Sequence, residues 1–180
     1  KLGRFLFYDP ILSGDSDMAC SNCHKQEFAF SDSPKPLSTG HLGQLMTRNT
    51  MPLFNLAWHP SFFWDGRASS IEAQIFHPIN ATNEMNCKTE TAVTRLNNSV
   101  IYRKMFQEAF ATEKIDSAKI AMAISQFLRT LISHQSKYDK VTAGEGSFTK
   151  EENEGYVLVN DQTKGDCLHC HTTDADALGT

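Results

Sequence analysis

The sequence predicts an all-α fold built from two modules in tandem, the second of them truncated. Three observations carry that expectation. Ile120, Ala123, Ile124, Phe127, Leu128 and Leu131 recur at the three-and-four spacing of one buried helical stripe. No run of alternating apolar and polar residues reads as a half-buried strand. A short string, C-x-x-C-H, occurs twice, as Cys20-Ser21-Asn22-Cys23-His24 and as Cys167-Leu168-His169-Cys170-His171. Each copy follows an amphipathic stretch and then a polar loop, which makes a weak internal repeat.

Taken in order, Leu2 to Asp9 reads as the approach helix to the first string. Ser33 to Gly43, with two prolines, two glycines and no periodicity, reads as a loop. Thr89 to Leu96 and Ile101 to Phe110 read as helices, and Asp116 or Ser117 can cap the helix that carries the 120–131 stripe. Residues 134–148 are polar and contain glycine, and read as the linker. Thr149 and Glu152 have capping-box spacing, which starts a second approach helix near residue 150, and Glu154 to Asp161 lie on it. The expected organisation is therefore a first module over 1–133 with helices inserted beyond its C-x-x-C-H, a linker over 134–148, and the opening of a second module over 149–180. Only nine residues follow His171, too few to cover a second site, so the second module is read as cut short.

C-x-x-C-H is the attachment signature of c-type haem. The two cysteines can form thioethers to the vinyl groups of one porphyrin, and the adjoining histidine is then held beneath the iron. One match is compatible with chance or with half a zinc site. Two matches, with no C-x-x-C lacking its histidine, point to two covalently bound haems c on tandem cytochrome c-like domains. Cys20, Cys23, Cys167 and Cys170 are then the anchors, and His24 and His171 the proximal ligands. Cys87 is left over and reads as a small buried residue; pairing with a cysteine outside this chain is the alternative.

Hydrophobic content is 40% and no stretch is long and apolar enough to span a bilayer. Twelve Phe against four Tyr suit dry packing around a porphyrin. The net charge of −4, before any propionates are counted, disfavours nucleic acid and fits ordinary solubility. Covalent haem attachment occurs outside the cytoplasm, so an exported, periplasmic protein is expected, with any targeting segment absent from this sequence.

The first string sits in a longer succession. Leu2-Gly3-Arg4, Phe7-Tyr8-Asp9-Pro10 and Leu12-Ser13 precede it, and Ala29-Phe30-Ser31-Asp32 follows. Downstream come Arg48-Asn49, Phe63-Trp64-Asp65-Gly66-Arg67, Gln74 and Glu84-Met85-Asn86. This succession resembles the bacterial di-haem cytochrome c peroxidases, with the related MauG-type enzymes close by. The resemblance runs from residue 2 to the end, and its most specific stretches are the two haem strings and Trp-Asp-Gly-Arg.

The resemblance implies a peroxidatic first domain and an electron-transfer second domain. It implies that His41, in the Pro/Gly loop, is a displaceable distal ligand of the first haem. It implies that Glu84 and Gln74 form a distal acid–base pair, since a carboxylate can shuttle the peroxide proton and an amide can steady the breaking bond. Trp64 matches an electron relay between the haems, although a buried packing tryptophan is the plainer role. Arg48 and Arg67 are candidates for propionate pairing or plain surface residues. Asn49 matches a contributor to a calcium site. His59, His77, His134 and His169 match no ligand position.

The implied activity is reduction of hydrogen peroxide to water with electrons from a small donor protein, a cytochrome c or a cupredoxin; the resemblance also allows a homodimer. Two alternatives stand beside it: a MauG-like enzyme that oxidises a protein substrate, and a non-catalytic electron carrier.

Overall fold

The computed structural model describes residues 1–169 and residue 171. Those residues form helices joined by loops and short 3-10 turns, with no strand among them and only isolated antiparallel bridges such as Lys25–Ser31 and Thr39–Leu45. The all-α expectation holds. The chain divides into two compact units, Lys1–Leu56 with Ser61–Leu131, and Ala57–Pro60 with Ile132–Thr180.

In the first unit, α1 (Leu2–Tyr8) lies against α5 (Ser117–Leu128), and α2 (Ile71–Asn80) packs on α5 as well. The α1–α5 approach needs a glycine: a Cβ on Gly3 would stand 1.8 Å from the Ala123 carbonyl oxygen. Leu6, Phe7, Leu12, Ile71, Ile79, Leu96, Phe106, Ile120 and Ile124 are fully buried and build the core. Asp116 caps α5 by accepting the Lys119 N–H at 2.9 Å. The helices α3 (Thr89–Asn98) and α4 (Val100–Phe110) fall where their periodicity placed them. Tyr102 on α4 donates to Asp9 at 2.6 Å, tying α4 to the end of α1. Cys87 is buried in this core.

Helix α2 was not foreseen. Its signals are Ser70, which accepts the Ala73 N–H at 3.0 Å, and Ile71, Ile75 and Ile79 at four-residue intervals, all buried. Pro78 and exposed His77 in its last turn obscure that pattern.

In the second unit, residues 134–148 are not all loop: they contain α6 (Lys137–Thr142), opened by a Ser136–Asp139 capping box. Helix α7 (Lys150–Asn160) starts at the expected Thr149–Glu152 box. Tyr138, Phe148 and Tyr156 cluster with ring centroids 5.5–6.4 Å apart, and Lys137 bonds Glu152 at 2.5 Å. Among the described residues no helix is long and apolar enough to cross a membrane.

Candidate functional site

The first C-x-x-C-H winds into a 3-10 turn, Cys20–Asn22. The Ala19 N–H donates to Asn22 Oδ1 at 2.8 Å, and the N–H groups of Cys23 and His24 both donate to the Cys20 carbonyl, at 3.2 and 2.9 Å. The winding brings Cys20, Cys23 and His24 to the wall of one cleft of about 420 Å³, within the range of cofactor sites. Apolar Phe7, Leu53, Ile75, Ile79 and Leu128 line it, and Gln74, Glu84, Trp64 and Asn49 supply polar atoms.

The chemistry of these donors fits haem c. Burial pushes the Cys20 thiol up to about 12 and raises the Cys23 thiol as well. A neutral thioether suits so buried a place. The His24 Nδ1–H donates to the Phe30 carbonyl at 2.7 Å, which leaves the Nε2 lone pair for a metal. Burial also pushes His24 below the ordinary imidazole range, so the ring is neutral. The Phe30 carbonyl is aimed by two successive left-handed residues, Ala29 (φ 55°) and Phe30 (φ 59°). Asp32, 1% exposed, anchors the far end of that turn through Lys25 at 2.5 Å. This support for His24 escaped the sequence reading; its only trace there is the Ala29-Phe30-Ser31-Asp32 string.

Gln74 on α2 and Glu84 in the turn after α2 both line the cleft. That turn is closed by Glu84 N–H to Ala81 O at 3.0 Å, Met85 N–H to Pro78 O at 3.1 Å and Asn86 N–H to Ala81 O at 2.9 Å. Burial raises the Glu84 carboxyl above the ordinary range, with Arg67 and His77 pulling the other way. Arg48 and Arg67 converge on Asp65, at 2.8 and 2.7 Å, and hold its carboxyl down at about 2. The Arg67 guanidinium also lies 3.4 Å over the centre of the Phe63 ring. Trp64 is 59% exposed on the rim of the cleft, and its indole N–H donates to the Asn49 carbonyl at 2.9 Å. It is therefore not the buried packing tryptophan that was its plainer role. Asn49 Nδ2 donates to the carbonyls of Pro36 and Lys35 at 3.1 and 3.4 Å.

The structure does not bring every candidate together. His41 is 4% exposed and lies outside the cleft lining, although its neighbour Gly40 is part of it. Its imidazole faces Asp15 and Asp17. In the second string the His171 N–H donates to the Cys167 carbonyl at 2.9 Å, as in the first, and both residues are exposed. Cys170 lies outside the described residues. No group of three or more His, Cys, Asp or Glu side chains placed to hold a metal occurs among the described residues.

Comparison with known proteins converges on one family. The model of the family "Di-haem cytochrome c peroxidase" matches residues 1–147. The chain is 34% identical over 174 residues to the methylamine utilization protein MauG of Methylophilus methylotrophus, covering 96% of this chain and 51% of that protein. It is 33% identical over 173 residues to the cytochrome c551 peroxidase of Nitrosomonas europaea, covering 95% and 50%. The crystal structure of a MauG-like protein associated with microbial copper homeostasis superposes with a TM-score of 0.86 at 35% identity, over 94% of this chain and 50% of that one. The chain thus spans about half the length of the relatives it matches. With the cleft, its cysteines and its oriented histidine already in place, the match over residues 1–147 makes this chain a member of the di-haem cytochrome c peroxidase family.

Proposed function

We propose that the full-length protein reduces hydrogen peroxide to two molecules of water, taking up two electrons and two protons, in the periplasm and with a cytochrome c or cupredoxin as donor. The observation that carries this reading is the gathering of Cys20, Cys23, His24, Gln74 and Glu84 around one mostly apolar cleft. Haem c held there through Cys20, Cys23 and His24, with a second on Cys167, Cys170 and His171, supplies the redox-active iron.

This chain's own residues do the rest. The His24 Nδ1–H to Phe30 bond fixes the ring, and burial keeps it neutral. A Glu84 carboxylate oxygen accepts the proton from one oxygen of peroxide and returns it to the other, which departs as water. Its raised affinity for a proton suits both halves of that transfer. The Gln74 amide donates to the departing oxygen. Trp64, on the rim, serves as the electron relay. His41 acts as a displaceable ligand carried on a tight turn in which Leu42 (φ 56°) and Gly43 (φ 76°) are left-handed and the Leu42 side chain is 78% exposed. Asn49, with its amide nitrogen engaged by Pro36 and Lys35, has its amide oxygen to offer calcium.

The test is peroxide consumption by the full-length, half-reduced protein with a reduced donor. Turnover is expected, and Glu84→Gln is expected to lower it by about 10²–10⁴ without altering the haem spectrum. Unchanged turnover in Glu84→Gln would remove the acid–base assignment. The relatives named MauG favour a second reading, oxidation of a protein substrate, which the same assay identifies if peroxide is consumed only when that substrate gives up the electrons and is oxidised. A carrier would consume none.

A further inference from the structure

We infer that Arg95, which lines no part of the cleft, is a positioning residue that sets how far the Glu84 carboxyl stands from the Cys20–His24 string. The inference rests on the reading of Glu84 as the acid–base group. Arg95 lies on α3, whose Ala92 and Leu96 are fully buried, and its half-buried guanidinium is turned to main-chain oxygen. Its two terminal nitrogens donate to the carbonyls of Ser13 and Gly14, and one of them also reaches the Ile11 carbonyl at 3.4 Å. A planar fork on neighbouring carbonyls fixes the peptides it grips, and a charged donor makes such bonds about twice as strong as neutral ones.

The gripped loop reaches two walls of the cleft. Toward the cysteines, the Ser13 hydroxyl accepts the N–H groups of Asp17 and Met18, both at 3.0 Å, and Met18, Ala19 and Cys20 follow as cleft lining. Toward the carboxyl, the Gly14 N–H donates at 2.7 Å to the carbonyl of Met85, the residue after Glu84. That approach is so close that a Cβ on Gly14 would stand 2.6 Å from the Asn86 carbonyl oxygen. Two consecutive residues, Ser13 and Gly14, thus tie the approach to Cys20 to the turn that carries Glu84, and Arg95 holds both by their carbonyls.

Helix α3 is itself a fixed post. The Thr89 N–H and hydroxyl both donate to Asn80 Oδ1 at 3.0 Å, which fastens the start of α3 to the end of α2, the helix of Gln74. Arg95 therefore stands on the frame of the acid–base pair and holds the cysteine wall against it. Proton transfer to and from peroxide needs hydrogen-bond reach, and a misplacement of about 1 Å, caused far from the chemistry, can cost about 10²-fold. Lysine cannot replace the fork, because its single ammonium is a point charge where two nitrogens now hold two carbonyls.

The experiment uses the full-length, two-haem protein. It reads kcat and KM for peroxide per haem, and the C–O stretching band of the first haem in the fully reduced protein with carbon monoxide as the probe. Arg95→Lys is expected to lower kcat ~10–100-fold with KM changed less than ~2-fold, and to shift or broaden the band at unchanged haem content. In a Glu84→Gln background the same substitution is expected to change neither, since the two residues act through one group. If Arg95→Lys leaves kcat or the band as in the parent, or changes them equally in the Glu84→Gln background, the positioning role is wrong and Glu84 keeps its own. If Glu84→Gln alone leaves turnover unchanged, the acid–base reading falls and the positioning role with it. Where Arg95→Lys fails to take up haem, Ser13→Ala decides on the same readouts: it keeps the Arg95 bonds and removes the link to Met18, with a fall in kcat of ~3–10-fold expected.

Discussion

His24 shows how a histidine proposed as a ligand is governed by the nitrogen that faces away from the metal. Its Nδ1 is committed to Phe30, and that carbonyl is aimed by two left-handed residues that no propensity favours. Glu84 shows the opposite economy, a carboxyl left without a cation of its own in a half-buried place. Because burial raises its proton affinity, the folded state binds a proton that the unfolded chain has already released. Stability contributed by that group is therefore complete at acid pH and declines as pH rises through the raised value. Glu84→Gln is accordingly expected to hold or raise the thermal midpoint at pH 7 while removing turnover, with the difference vanishing below about pH 4. Thermal melts of parent and variant at both pH values check this, and a lower midpoint for the variant at pH 7 would contradict it. The cysteines and His24 were legible because their chemistry is written in five consecutive letters. Glu84 and Gln74 were not legible from spacing, since ten residues of separation says nothing until α2 and the turn after it fold. Only the resemblance singled them out.

At the scale of elements, helices announced by caps and an uninterrupted stripe were readable: α3, α4, α5 and α7 lie where Thr89, Ile101, Asp116 and Thr149 placed them. Helix α2, which carries Gln74, was hidden because His77 and Pro78 break its surface pattern, and six-residue α6 was too short to show periodicity. What fixes α2 is tertiary. Arg129, at the end of α5, makes a two-pronged bond to Glu72 at 2.6 and 3.0 Å. Arg129 holds the Glu72 carboxyl below its ordinary range, so the pair's contribution is present above that range and is lost as pH falls through the depressed value. Both side chains are about a third exposed, and solvent screening limits the pair to about 1 kcal/mol despite its geometry. Arg129→Met should cost about that much in urea melts at pH 7, with parent and variant converging at acid pH. A gap that persists at pH 2 would mean that Arg129 acts through its aliphatic packing instead.

At the scale of the whole chain, each unit has its own cluster of buried or stacked side chains, and the first unit's core is only partly shared with its cleft. Phe7, Ile79 and Ile124 belong to both, whereas Leu6, Leu96, Phe106 and Ile120 are fully buried and line no part of the cleft. Loss of the cofactor should therefore strip one wall of the unit without dissolving its helices. Cys20→Ala with Cys23→Ala in the full-length protein is expected to halve the haem content measured as pyridine haemochrome, leaving the haem on the second string. Far-UV helicity should persist, the thermal midpoint should fall, and the uncovered faces of Phe7, Leu53 and Leu128 should bind a hydrophobic dye. The fall follows because the porphyrin, which stays tethered to the unfolded chain, would cover Phe7, Leu53 and Leu128 only in the folded state. Collapse of the helical signal along with the haem would show that α1, α2 and α5 assemble only around porphyrin, and that the core beneath the cleft is too small to hold them alone.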